Sequence, residues 1–170
     1  MWSSRIAPLL LCLGLAACGF EPLYGEHGTE NTAVTADLAA IRIEAIPDRI
    51  GQKMYNLLYE RLTPDGKADV PKYSLRVRIR ETVEELLYER DETATRANVT
   101  LRVDYELRRI EDDELIAKGT SRSTSGYDIQ SVSSIYATLV SKDDARDRNA
   151  RAISDDIRTR MAVALSSEAG

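Results

Sequence analysis

The chain is poor in the residues that usually carry chemistry. Its 170 residues include one histidine, His27, and two cysteines, Cys12 and Cys18. Histidine triads, thiol nucleophiles and zinc clusters therefore lack their parts. The serines offer no substitute: Ser121, Ser123 and Ser125 have no G-x-S-x-G elbow and read as a strand edge and loop. Acidic pairs occur at Glu84-Glu85, Asp112-Asp113 and Asp155-Asp156. The second falls in a hairpin tip and the third on a polar helix face, where solvated charge is expected rather than acid–base work. No enzymatic activity, metal or other cofactor is expected. No apolar run reaches the roughly 20 residues of a membrane-spanning helix. Nor is the chain basic: its formal charge of −5 disfavours nucleic-acid binding, which needs a basic surface to neutralise phosphate.

What is present begins at the N-terminus. Met1 to Arg5 place one positive charge ahead of the apolar run Ile6 to Leu15, the layout of a secretory signal covering residues 1–17. Leu15-Ala16-Ala17-Cys18 resembles the lipobox of bacterial lipoproteins. The resemblance implies cleavage before Cys18, a diacylglycerol on its thiol and acylation of the freed amine. Each buried methylene is worth about 0.8 kcal/mol and two chains suffice for stable anchoring, so a triacylated Cys18 holds the chain on a membrane. Gly19 stands where an aspartate would signal retention at the inner membrane, so sorting to the outer membrane, facing the periplasm, is expected. An ordinary secretory signal with a chance cysteine is the alternative. With Cys12 removed and Cys18 lipidated, no disulfide can form, and stability must come from a hydrophobic core.

Residues 18–36 read as a lipidated N-terminus and extended tether, with Phe20, Leu23 and Tyr24 as its apolar exceptions, and residues 37–170 as one domain. Leu38 to Ile46 alternates as a strand around Ile41, Ile43 and Ala45 and stops at Pro47. Asp48 is expected to cap a helix of about 14 residues carrying Ile50, Met54, Leu57, Leu58 and Leu62 on one face. Thr63-Pro64-Asp65-Gly66 then forms a turn. From Tyr73 the pattern is a strand, with Leu75, Val77 and Ile79 opposite Arg76, Arg78 and Arg80. Glu81 breaks the parity, which predicts a bulge there or a strand that projects beyond the core. A turn at Arg90-Asp91-Glu92 leads to a third strand from Ala97 to Arg108, and Glu111-Asp112-Asp113 makes a second hairpin tip. A weaker fourth strand covers Leu115 to Thr120, and Ser121 to Ser134 is expected to loop away. Ser141 and Asp144 predict the start of a last helix, burying Ala145, Ala150, Ile153, Ile157, Met161, Ala164 and Leu165. The expected fold class is α+β: a two-layer sandwich of β-α-β-β-β-α order, a four-stranded, mostly antiparallel sheet with two helices on one face.

The arginine row is the one constellation that suggests binding. Arg76, Arg78 and Arg80 stand about 6.5 to 7 Å apart along one strand face, joined across the sheet by Arg102, Lys118 and Arg122. Guanidinium forks at that spacing suit phosphates or carboxylates. The alternative is a solvated face balanced by Asp104 and Glu106.

Cys18-Gly19-Phe20-Glu21-Pro22-Leu23-Tyr24-Gly25, together with Tyr136-Ala137 and Asp143-Asp144-Ala145, resembles the lipopolysaccharide-assembly lipoprotein family LptE in its alphaproteobacterial form. The order of elements is also that of the family. The resemblance implies an outer-membrane lipoprotein that plugs the large β-barrel LptD, helps assemble it and assists delivery of lipopolysaccharide to the cell surface, with no enzyme activity. A stand-alone lipoprotein that binds cell-wall or envelope components without a barrel partner is the competing expectation.

Overall fold

A computed structural model describes residues 28–64, 66–87, 94–129 and 135–168. The elements in chain order are α1 (Gly28–Ala39), β1 (Ile41–Ile43), α2 (Asp48–Leu62), β2 (Tyr73–Leu87), β3 (Ala94–Arg109), β4 (Leu115–Asp128) and α3 (Ile135–Glu168). The four strands form a single sheet in the order β1-β2-β3-β4. β1 runs parallel to β2, with Ile41 beside Tyr73, and β2 to β4 form an antiparallel meander. The α+β class and the expected order of the later elements hold.

The helices cover one face of the sheet. α3 is 34 residues long, about 50 Å at 1.5 Å per residue, and so matches the length of the longest strands. It packs mainly on β4, with lesser contact to β3, while α2 lies beside it. Between these layers Met54, Leu58, Leu75, Leu101, Leu107, Ile153, Ile157 and Met161 are fully or almost fully buried. Gly51 allows the loop after β1 to close on α2, since a Cβ there would lie 2.8 Å from the Ile46 carbonyl oxygen.

Several expectations are corrected. Residues 28–39, read in large part as extended tether, are helical, and Val34 and Leu38 of this helix join the core. The strand read from Leu38 shrinks to Ile41–Ile43. Asp48 does not cap α2: the N-cap position falls on Pro47 without a side-chain hydrogen bond, and Asp48 is itself the first helical residue, with φ at 70°. No bulge occurs at Glu81. The β2–β3 register is continuous up to Leu86, so the strand projects beyond the main core, as the second option had it. Glu81 breaks parity because it sits on the covered face, where Arg146 of α3 donates to both its carboxylate oxygens at 2.8 and 2.6 Å.

Ser121 to Asp128 does not loop away but continues β4. Its serines alternate toward the helix: Ser123 and Ser125 each donate a hydroxyl to the Asn149 Oδ1 at 2.8 Å, and Asn149 Nδ2 donates to the Val99 carbonyl at 2.8 Å. Asn149 is completely buried, so its hydrogen bonds replace the apolar contacts that the serine segment cannot make. α3 also begins earlier than the Ser141 cap signal, at Ile135, and Ser141 lies inside it. There Asp143, with Asp147 one turn on, binds Lys53 of α2 at 3.0 and 2.6 Å, an interhelix role rather than a capping one. The Arg90-Asp91-Glu92 turn and everything before Gly28 lie outside the described residues.

Candidate functional site

The face of the sheet turned away from the helices carries the basic residues. Strand alternation places Leu75 and Val77 inward, and so sends Arg76, Arg78 and Arg80 outward, where all three are exposed. The register then assembles cross-strand rows. Arg76 pairs with Glu106, which pairs with Lys118; Arg78 with Asp104 and then Thr120; and Arg80 with Arg102 and then Arg122. Arg76, Arg78, Arg80, Arg102 and Lys118 are thus brought onto one surface, and Arg122 completes it.

The last row could not be read from any single strand. Neighbouring strands lie about 4.8 Å apart, so three guanidinium groups spread over about 10 Å, and Asp104 on the adjoining row is a counter-charge to two of them, Arg80 and Arg102. Asp104 lies 3.2 Å from the Arg80 Nη2 and 3.6 Å from the Arg102 Nε. The Thr120 hydroxyl donates to it at 2.7 Å. That hydrogen bond, and then the two arginines, outweigh burial and hold the Asp104 carboxyl below its ordinary value. At the β1 border, Glu44 accepts from Arg76 Nε at 2.9 Å and from the Ser74 hydroxyl at 3.0 Å. The Arg76 hydrogen bond, with Ser74 adding to it, depresses the Glu44 carboxyl, and the same pairing raises Arg76. Arg78, Lys118 and Arg122 have no ion-pair or hydrogen-bond partner among the described residues.

The patch therefore contains two kinds of cation. Arg76, Arg80 and Arg102 are already held by carboxylates, whereas Arg78, Arg122 and Lys118 are available to an incoming anion. A ligand with several phosphate or carboxylate groups can engage the free cations at once, and exchange with Glu44 for Arg76 and with Asp104 for Arg80 and Arg102. Cys18 lies outside the described residues. Among those described, no cluster of histidine, cysteine, aspartate and glutamate is placed to hold a metal ion, and no helix is long and apolar enough to cross a membrane.

Three solved structures share this architecture. A candidate lipoprotein of Caulobacter crescentus superposes with a TM-score of 0.65 at 20% identity, over 80% of this chain and 97% of its own. Rare lipoprotein B of Shewanella oneidensis gives 0.57 at 10% identity, over 76% and 97%. A minor lipoprotein of Acinetobacter baumannii gives 0.55 at 14% identity, over 72% and 88%. At these identities the likeness is one of fold. No family model and no curated protein sequence matches the chain.

Proposed function

We propose that the chain is a lipoprotein anchored through Cys18 in the outer membrane and facing the periplasm. There it acts without catalysis, as the plug and assembly partner of an LptD-type β-barrel, and assists lipopolysaccharide on its way to the cell surface. The observation that carries this reading is the open sheet face. A chain of net charge −5 gathers Arg76, Arg78, Arg80, Arg102, Arg122 and Lys118 on one exposed surface, a complement to phosphate-bearing lipid. Two further observations support it: the lipobox-like Leu15-Ala16-Ala17-Cys18 with the G-F-x-P-L-Y-G string after it, and a fold shared with proteins described as lipoproteins.

Gentle detergent extraction followed by affinity purification of the full chain tests the partner. Recovery of a stoichiometric outer-membrane barrel is expected; recovery of the chain alone would favour a stand-alone envelope binder. Metabolic labelling with a palmitate analogue tests the anchor. Label is expected on the parental chain and not on Cys18→Ala, and label retained by the variant would end the lipoprotein reading.

A further inference from the structure

Beyond the arginines the open face changes character in one step. The row Arg80, Arg102 and Arg122 is entirely cationic, and the next row toward the Leu87 end of β2, Thr82, Thr100 and Thr124, is entirely threonine. Two residues of strand separate the rows, about 6.7 Å. The row after that sets Glu84 beside Asn98 and Gly126. A Cβ at Gly126 would lie 3.3 Å from the Asn98 Oδ1, so the glycine leaves room for the Asn98 amide to reach across onto β4.

The two kinds of row differ in the hydrogen bonds they can make. Guanidinium groups only donate, whereas the threonine row and Glu84 mostly accept. The Thr100 and Thr124 hydroxyls lie 2.9 Å apart and one donates to the other, which leaves the pair with more lone pairs than hydrogens. Thr82 and Glu84 are exposed and have no hydrogen-bond or ion-pair partner among the described residues. An ionised phosphate is itself an acceptor and gains little from such a row. A ligand that carries hydroxyl donors one step along the strands from its phosphate fits both.

We propose that the threonine row is a saccharide subsite and that the open face binds a phosphorylated sugar across the two rows. The phosphate lies on Arg80, Arg102 and Arg122, and the sugar that carries it places its hydroxyls on Thr82, Thr100 and Thr124. Glu84 and Asn98 take the hydroxyls beyond. Resting on the reading of the open face as a phosphate-binding surface, the subsite gives the ligand a direction on that face. Its phosphate points toward the middle of the sheet and its sugar toward the Leu87 end of β2.

Isothermal titration of the full chain in mild detergent tests the subsite with two probes: deacylated lipopolysaccharide that keeps its phosphates, and tripolyphosphate, which has no sugar. The parental chain is expected to bind both. Thr82→Val, Thr100→Val and Thr124→Val combined keep the β-branched shape and remove only the hydroxyls, so the melting temperature stays close to parental. Affinity for the saccharide probe is expected to fall by about tenfold in this variant, with tripolyphosphate unaffected. Thr→Ser at the same three positions keeps the hydroxyls and the parental affinity. Parental affinity of the valine variant for the saccharide probe overturns the subsite while leaving the phosphate reading intact. A loss shared equally by both probes overturns it too. A parental chain that binds neither probe removes the phosphate reading itself, and the subsite with it. If the valine triple does not fold, Thr82→Val alone decides, through a smaller loss confined to the saccharide probe.

Discussion

Neighbouring residues on the same strands lead opposite lives. On the covered face, Leu75, Val77, Leu101 and Val103 are at most 5% exposed, pressed beneath α2 and α3. One residue away, Arg76, Arg78, Arg80 and Arg102 stand in solvent on a face that no described element covers. Burial of apolar side chains is what holds such a domain together, so the covered face carries stability. The open face is therefore free to be selected for what it binds. Substitutions should separate the two faces cleanly, and the account breaks where they do not.

The largest effect is expected from truncation on the covered face. Leu101→Ala or Ile157→Ala removes a fully buried side chain from between the layers and should cost about 2 to 5 kcal/mol in a denaturant titration. Ile79→Ala should cost less, because Ile79 is only partly buried, near where the strand leaves the main core.

A polar version of the same test is Asn149→Ala. Its amide joins Ser123, Ser125 and Val99 in a buried site, and its loss should destabilise by about 1 to 3 kcal/mol through stranded hydrogen-bonding groups. A loss near zero would mean that the serine half of β4 is held by the sheet ladder alone.

Acid should act on both faces at once, and in one direction. Glu44 is held low first by Arg76, Asp104 first by Thr120 and Asp143 first by Lys53. Each carboxyl therefore binds a proton less readily in the folded chain than in the unfolded one. Their stabilising contribution is complete above about pH 5 and disappears as the pH falls through the depressed folded values. Denaturant midpoints measured across this range should fall only on the acid side, and modestly, since these groups are largely solvated. The smallest effect is expected from Arg78→Gln, an exposed cation with no partner among the described residues, which should change stability by less than about 0.5 kcal/mol.

How much of this was legible in the sequence followed from periodicity. β2 and β3 could be read because apolar and charged residues alternate strictly along them, and α2 because its leucines recur at helical spacing. The outer half of β4 could not, because serine carries no hydrophobic signal. Only the buried Asn149, contributed by a helix remote in sequence, makes Ser123 and Ser125 inward-facing positions. Ser141 and Asp144 looked like a helix start because cap-forming residues also serve inside helices when their side chains find other partners, as Asp144 does with Arg148 one turn on. Here Lys53 takes up the neighbouring Asp143. The arginine patch was half legible. The Arg76, Arg78 and Arg80 row is a property of one strand, but the Arg80, Arg102 and Arg122 row exists only through the register of three.

The most direct measurement is lipopolysaccharide binding by the chain with Arg76, Arg78 and Arg80 all replaced by glutamine, read beside its melting temperature. Glutamine keeps polar side chains on the open face and removes only the charge. The account expects the melting temperature to stay close to the parental value while binding weakens strongly, each desolvated charge-assisted contact contributing about 1.5 to 3 kcal/mol and each exposed one less. Undiminished binding by a stably folded triple variant would contradict it and remove the open face from the mechanism.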